Sequence, residues 1–420
     1  MKKKIELIEK IEGEAWLEYE YKNDYIEHVF IKFASSRYIE DILKNRPPLD
    51  ALAINPRVCG ICGHAHLIAT VRALEDCYDS IYIPQKALDT RELTLIFELI
   101  QNHFKWFYLT IYPLVTSQNS ITKATIPSQT ASEAIAILAG QYPHTSYSIV
   151  GGVVSEITPL MIRLVAQKID RLIAIFKEYI INRDLDEFLY CNKIEEMLKK
   201  EGDLPYIMQN IVDKNWQQLG RSHDRFIVFG KSGLFKSGKS IHTRYRQHID
   251  TKYITTFTTP NSKAKSLLYR EKFYETGPLA RAMLNKTPLI KEAHRRFGDS
   301  IFSRILARVC EIPQLLLYAK QITKSINFSE PSYIEPPKLP AFATGTGIVE
   351  AARGSLIHKV EIKDNLISNY TIMTPTQWNL GNGTPNNPSS AQKALKGLHK
   401  NMPTELVFKS FDVCSVCTTH

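Results

Sequence analysis

Nowhere in its 420 residues does the chain carry an apolar run long enough to cross a bilayer. The longest, around Leu93 to Ile100, is interrupted by Glu98 and falls short of the about 20 residues a spanning helix needs. The opening Met1-Lys2-Lys3-Lys4 is basic, but Glu6, Glu9 and Glu12 break up anything resembling the apolar region of a secretory signal. The expectation is a chain with no address or anchor of its own and no direct membrane insertion, which points to the cytoplasm. Cysteine is scarce: seven in all, an odd number, which argues against a disulfide framework in a chain this long. No internal repeat is visible. Nucleic-acid motifs are missing as well; the net charge of +10 comes from dispersed lysines with no helix-turn-helix, finger or RNP-like pattern. That charge describes a solvated surface, or a basic face for an acidic partner, with no nucleic acid among the expected partners.

What is present is ordinary globular material, 44% hydrophobic and 23% charged. Residues 4–33 read as a hairpin: Leu17, Tyr19 and Tyr21 alternate with glutamates, Lys22-Asn23-Asp24 turns, and Val29, Ile31 and Phe33 alternate again. Leu88 to about Tyr112 reads as a long buried helix. A second follows Pro159, with Met161, Val165, Ile169, Leu172, Phe176 and Ile180 at helical spacing. Residues 205–265 are polar and strand-like, which predicts a peripheral β-rich insertion. Helices resume from Pro278 to about Asn327, a Pro-rich crossing spans Pro331 to Pro340, and short β-like runs fill 341–380. A final helix starts at Ser389. The fold class is α+β, predominantly helical: a long-helix bundle core with small peripheral β-sheets, with 1–420 as a single domain.

The chemistry sits at the two ends. Arg57-Val58-Cys59-Gly60-Ile61-Cys62-Gly63-His64-Ala65-His66 lies near the start, and Asp412-Val413-Cys414-Ser415-Val416-Cys417-Thr418-Thr419-His420 closes the chain. One Cys-x-x-Cys pair is compatible with zinc, a redox dithiol or chance. Two pairs suggest structural zinc, but there the gap between pairs is typically about 12–20 residues, and here it is most of the chain. No βαβ context supports thioredoxin-like chemistry. Four soft thiolates brought together suit a transition metal. Cys62 and His66, four apart, share one face of a helix beginning near Ile61. Cys77, Cys191 and Cys310 are most simply small buried hydrophobes. Phe229-Gly230-Lys231-Ser232-Gly233 lacks the glycine spacing of a phosphate loop and carries no nucleotide role.

The joint pattern resembles the signatures of the large subunit of nickel–iron hydrogenases, Arg-x-Cys-Gly-x-Cys-x-x-x-His and Asp-Pro-Cys-x-x-Cys-x-x-His. Arg57, Cys59, Gly60, Cys62 and His66 match the first; Asp412, Cys414, Cys417 and His420 match the second, with Val413 in place of the usual proline. Landmarks keep the family's order: Ile11-Glu12-Gly13, Gln101-Asn102-His103, Gly151-Gly152-Val153, Gly277 to Arg281, Glu350-Ala351-Ala352-Arg353-Gly354, and Pro375-Thr376-Gln377-Trp378-Asn379. The resemblance spans essentially the whole chain.

By resemblance, Cys59 and Cys414 bind nickel alone, while Cys62 and Cys417 bridge nickel to an iron that also carries carbon monoxide and two cyanides. Arg353 hydrogen-bonds one cyanide and faces the open site; Thr376 bonds the other. Glu12 takes a proton from the Cys414 thiolate, and His66 bonds near the Cys62 sulfur. Glu40, the backbone carbonyl near Ile372 and His420 hold Mg2+. Ala352 replaces a family proline, which predicts a looser backbone there, and Asn102 falls where many members have an aspartate. The implied activity is reversible heterolytic cleavage of H2, with electrons passed to iron–sulfur clusters in a small subunit and nickel inserted by maturation proteins. A hydrogen sensor with low turnover is the alternative. The related quinone-site subunit of respiratory complex I generally lacks these thiolates.

Overall fold

The computed structural model describes residues 2–11, 13–33, 36–241, 248–260, 262 and 264–414. Glu12, Cys417 and His420 lie outside these. The N-terminal segment is a three-stranded antiparallel sheet rather than a hairpin: β1 (Lys2–Ile11), β2 (Gly13–Lys22) and β3 (Tyr25–Lys32), in that order. The alternation of Leu17, Tyr19 and Tyr21 with polar residues does place them on the buried face. Asn23 and Asp24, with φ of 51° and 66°, make the β2–β3 turn, the conformation a two-residue hairpin loop demands. The extra strand was hidden because lysines and glutamates dominate β1.

Next come α1 (Ile39–Leu43), α2 (Gly63–Glu75), α3 (Gln85–Trp106), α4 (Ile121–Ala139) and α5 (Pro159–Ile175). Residues 205–213, read as the start of a β-rich insertion, belong instead to the helix α6 (Asp203–Asp213); Leu204, Ile207, Met208 and Ile211 recur at helical spacing and are buried. Two small hairpins follow, β4 (Arg225–Val228) with β5 (Gly238–Ile241), and β6 (Ile254–Thr258) with β7 (Lys265–Tyr269). Ile227, Phe229, Leu267 and Tyr269 from this region enclose Trp378, so parts of it are interior. Helices α7 (Pro278–Asn285), α8 (Pro288–Phe297) and α9 (Ile301–Ser325) complete the helical layer. The long helices α3 and α9 pack together, both mostly buried. No helix among the described residues is long and apolar enough to cross a membrane.

A second antiparallel sheet, β8 (Ala343–Ala351), β9 (Gly354–Lys363) and β10 (Leu366–Met373), lies against α2. Short helices α10 (Pro375–Leu380), α11 (Ser390–Leu395) and α12 (Thr404–Lys409) carry the chain to its end. The single final helix expected from Ser389 is thus two, separated where Gly397 takes φ of 84°. The contact between α2 and β8 is made backbone to backbone: a Cβ on Gly347 would sit 1.9 Å from the Ala69 carbonyl oxygen. Gly347→Ala should therefore lower stability by about 1–3 kcal/mol, as overpacking does. A depressed thermal midpoint checks this; an unchanged one contradicts the close approach.

Candidate metal centre

The head of the site is a loop clamped from several sides. Arg37 Nη1 donates to the carbonyls of Arg57 and Val58, both at 2.8 Å. Gly63 opens α2 against the Pro56 carbonyl, which a Cβ would meet at 2.2 Å. The first free N–H groups of α2 point at Glu98 of α3: Oε2 accepts from His64 and Oε1 from Ala65, each at 3.0 Å. A carboxylate at a helix N-terminus satisfies unpaired donors and meets the positive end of the helix dipole. Burial nevertheless pushes the Glu98 carboxyl up to about 8, with the Cys59 charge adding to it and the two N–H bonds and Arg353 opposing. Glu98 was visible in the sequence only as a charge in the middle of an apolar stretch, and its role was not read.

The tail is held differently. Asp412, with φ of 55°, sits buried between two guanidinium groups, Arg308 of α9 and Arg353. Arg353 Nε donates to the Asp412 carbonyl at 3.1 Å. The Arg308 guanidinium stacks over the Trp106 ring, and Trp106 Nε1 donates to the Lys409 carbonyl at 2.9 Å. A valine after Asp412 permits that left-handed backbone, which a proline there would disfavour.

These clamps bring head and tail together. Cys59 Sγ lies 3.6 Å from Cys414 Sγ, and the sulfurs of Cys59, Cys62 and Cys414 all fall within 4.8 Å of one another, buried. Ile61 N–H points at the Cys59 sulfur at 3.4 Å. Three converging thiolates fit a soft transition metal.

Around this nest, Arg353 is buried, and although burial opposes its charge, Asp412 and the thiolates of Cys414, Cys62 and Cys59 hold its pKa well above the usual value. Its Nη1 lies 3.4 Å from Asn102 Oδ1. Asn102 Nδ2 in turn donates to the carbonyls of Glu98 at 2.8 Å and Ile61 at 3.1 Å. An amide suits this position because an aspartate would set an oxygen against two carbonyls. Ala352 does not loosen the backbone as expected: its carbonyl accepts from Arg308 at 2.9 Å and Arg281 at 3.4 Å. Thr376 is buried and its hydroxyl has no partner among the described residues. Burial lowers His66 to about 4, the Cys59 charge pulling the other way. His64 stacks flat on Tyr147 at 5.5 Å.

Glu40 and Ile372 are brought into contact, Oε1 accepting from the Ile372 N–H at 2.7 Å. A strand residue turns its N–H and C=O to the same edge, so the Ile372 carbonyl is on the edge of its strand that meets Glu40. Lys265 Nζ engages the other Glu40 oxygen, so any cation at this edge would share that carboxylate with an ammonium. A cavity of about 230 Å³, lined by Leu109, Trp106, Ile61, Asn102, Val413 and Arg353, reaches the guanidinium.

Beneath Arg353 lies a buried ion network that motif reading left out. Arg281 forks onto Glu311 at 2.6 and 2.7 Å and reaches Glu350 at 3.0 Å. His103 Nε2 meets Glu311 Oε2 at 2.7 Å. Burial would raise the Glu311 carboxyl, but Arg281 and His103 bring it down to about 2. Burial lowers His103 to about 4, against the pull of Glu311, so the ring is neutral and Nε2–H is the donor. Its ordinary value in an unfolded chain is 6.5; between there and about 4 the unfolded state binds a proton the folded state refuses. This contribution to stability is full above 6.5 and is lost as pH falls toward 4, at up to about 1.4 kcal/mol per pH unit. His103→Gln, which keeps a donor for Glu311, should show a shallower fall in urea midpoint between pH 7 and 5; an identical slope would refute the neutral assignment.

The chain matches the family described as Nickel-dependent hydrogenase over residues 37–111 and 123–420. It is similar to the periplasmic NiFeSe hydrogenase large subunit of Desulfomicrobium baculatum, 25% identical over 461 residues, covering 89% of this chain and 85% of that protein. It is also similar to the hydrogenase-2 large chain of Escherichia coli strain K12, 23% identical, with 99% and 96% covered. The reduced Ni-Fe-Se hydrogenase from D. vulgaris Hildenborough superposes with a TM-score of 0.84 at 21% identity, covering 100% of both chains. Fold, sulfur nest and sequence agree, and the chain belongs to the nickel-dependent hydrogenase family.

Proposed function

We propose that this chain is the catalytic large subunit of a nickel–iron hydrogenase that splits H2 reversibly into protons and electrons. The observation that carries the reading is the meeting of Cys59, Cys62 and Cys414, drawn from opposite ends of the sequence, within 4.8 Å. Cys417 would supply the fourth thiolate. The Ni–Fe(CO)(CN)2 centre, when bound, polarises H2 for heterolytic cleavage.

The chain's own residues do the rest. Arg353, its charge paired with Asp412, would donate toward one cyanide, and the Thr376 hydroxyl toward the second. The Cys414 sulfur takes the proton and Glu12 receives it, a carboxyl able to exchange protons when held in a dry pocket. Glu40, Ile372 and His420 would hold Mg2+ beside the tail. Cys77, Cys191 and Cys310 are buried, and among the described residues the one group of three or more candidate metal ligands is Cys59, Cys62 and Cys414, so electrons need a partner: an iron–sulfur small subunit. Nickel insertion by maturation proteins and residence in the cytoplasm belong to the same proposal.

The test is metal content with hydrogen–deuterium exchange on protein matured in a competent host. Wild type should hold nickel and iron and exchange; Cys414→Ala should lose both nickel and exchange. Glu12→Gln should keep nickel while exchange slows by a factor on the order of 100 or more. Wild-type protein without nickel, or loaded protein without exchange, ends the reading, and unchanged exchange in Glu12→Gln ends the assignment of that residue.

A further inference from the structure

Behind His66 a row of buried polar side chains runs away from the sulfur nest. His66 Nδ1 lies 3.0 Å from His358 Nε2 on β9, and His358 Nδ1 lies 2.8 Å from Tyr370 Oη on β10. Asn55, in the loop before Cys59, donates through Nδ2 to Tyr370 Oη and to Thr70 Oγ1, both at 2.8 Å. Thr70 gives its own proton to the His66 carbonyl at 2.8 Å.

Counting protons fixes the direction of the row. Tyr370 has one to give, and its acceptors are His358 Nδ1 at 2.8 Å or Thr70 Oγ1 at 3.4 Å; the shorter is the hydrogen bond and the longer falls outside the normal range. With Nδ1 accepting, neutral His358 carries its hydrogen on Nε2 and donates to His66 Nδ1. His66 is then protonated on Nε2. The reverse order, with His358 Nδ1–H donating to Tyr370 Oη or to Thr70 Oγ1 at 3.3 Å, leaves the Tyr370 proton either the 3.4 Å contact to Thr70 or an Asn55 amide turned over to present its oxygen. Turning it would bury two N–H groups without acceptors among the described residues, where at present a single carbonyl oxygen, Asn55 Oδ1, lacks a partner among them. Orphaned donors are the rarer fault.

His66 follows Cys62 by one helical turn, its N–H bonded to the Cys62 carbonyl at 3.3 Å, and the Cys59 charge reaches its ring. We propose that Tyr370 and His358 are positioning residues that lock His66 as its Nε2–H tautomer, so that it offers the thiolates a donor rather than a lone pair. Partners beyond the ligand sphere tune a metal in this way. The inference rests on the nickel–iron reading above. Losing the N–H donor leaves more electron density on sulfur and, through it, on the metals, which strengthens back-donation into bound diatomic ligands and lowers their stretching frequencies.

Infrared spectra with metal analysis of Tyr370→Phe, His358→Ala and the double variant test the proposal. The expected result is full nickel and iron in Tyr370→Phe, with carbon monoxide and cyanide bands shifted to lower frequency. His358→Ala should shift the same way, and the double variant no further than His358→Ala, because both residues act along one row. Should His358→Ala fail to take up metal, Tyr370→Phe, which removes only a hydroxyl, decides alone. Bands that coincide with wild type at full metal content overturn the proposal while leaving the nickel–iron reading intact, and so does loss of nickel from Tyr370→Phe, which would make the row a folding scaffold. Absence of nickel and of such bands in wild type would instead remove the reading on which the proposal stands.

Discussion

One buried carboxylate holds the two ends of this chain in register. Asp412 lies between Arg308 and Arg353, two residues before Cys414, so the position of the tail sulfur is set by ion pairs to α9 and to the end of β8. Both guanidiniums are themselves tied down, Arg308 over Trp106 and onto the Ala352 carbonyl, Arg353 toward Asn102. A pair of this kind, once buried, is costly to break: removing one partner strands uncompensated charge at about 3–5 kcal/mol. The tail is therefore held by a contact that cannot be half-made.

The same residues settle the electrostatics of the nest. Arg281, Arg308 and Arg353 are balanced by Glu311, Glu350 and Asp412, all buried. Against this even count, sulfurs that bind a metal as thiolates would bring surplus negative charge, which suits a cation. Asn102 keeps the count even. Its amide answers two carbonyls with N–H and turns its oxygen to Arg353, where an aspartate would add a further carboxylate beside the guanidinium.

Much of this was legible in the chain, and what escaped did so for identifiable reasons. Helices α3, α5 and α9 carry dense apolar periodicity over many turns, and they stand where expected. Cys59, Cys62 and Cys414 declared themselves by spacing, and their sulfurs lie within 4.8 Å of one another. Strand β1 was missed because the charged residues Lys2-Lys3-Lys4, Glu6, Glu9 and Lys10 break its apolar alternation, and pairing with β2 decides it. Helix α6 was missed because the polar segment after it coloured the whole region. The ion network was invisible for a deeper reason: Arg281, Glu311 and Glu350 are charged residues in interior positions, and no local pattern says which charge will meet which. Likewise His358 and Tyr370 read as ordinary strand residues until β9 and β10 pair and turn both inward.

Head and tail solve the same problem at different ranges. The head loop is clamped from 21 residues away by Arg37 and 34 by Glu98, whereas the tail is tied to Arg308 across 104 residues. Chain entropy makes that difference small: closing a loop three times longer costs only about 1 kcal/mol more, less than one buried ion pair is worth when its loss strands charge. A fold can therefore recruit a metal ligand from its far terminus provided a single well-buried contact waits for it. Separation in sequence, which made the two cysteine pairs look unlike a zinc site, is no physical obstacle to their meeting. What the long route demands is a specific receptor at its end, and the two arginines around Asp412 are that receptor.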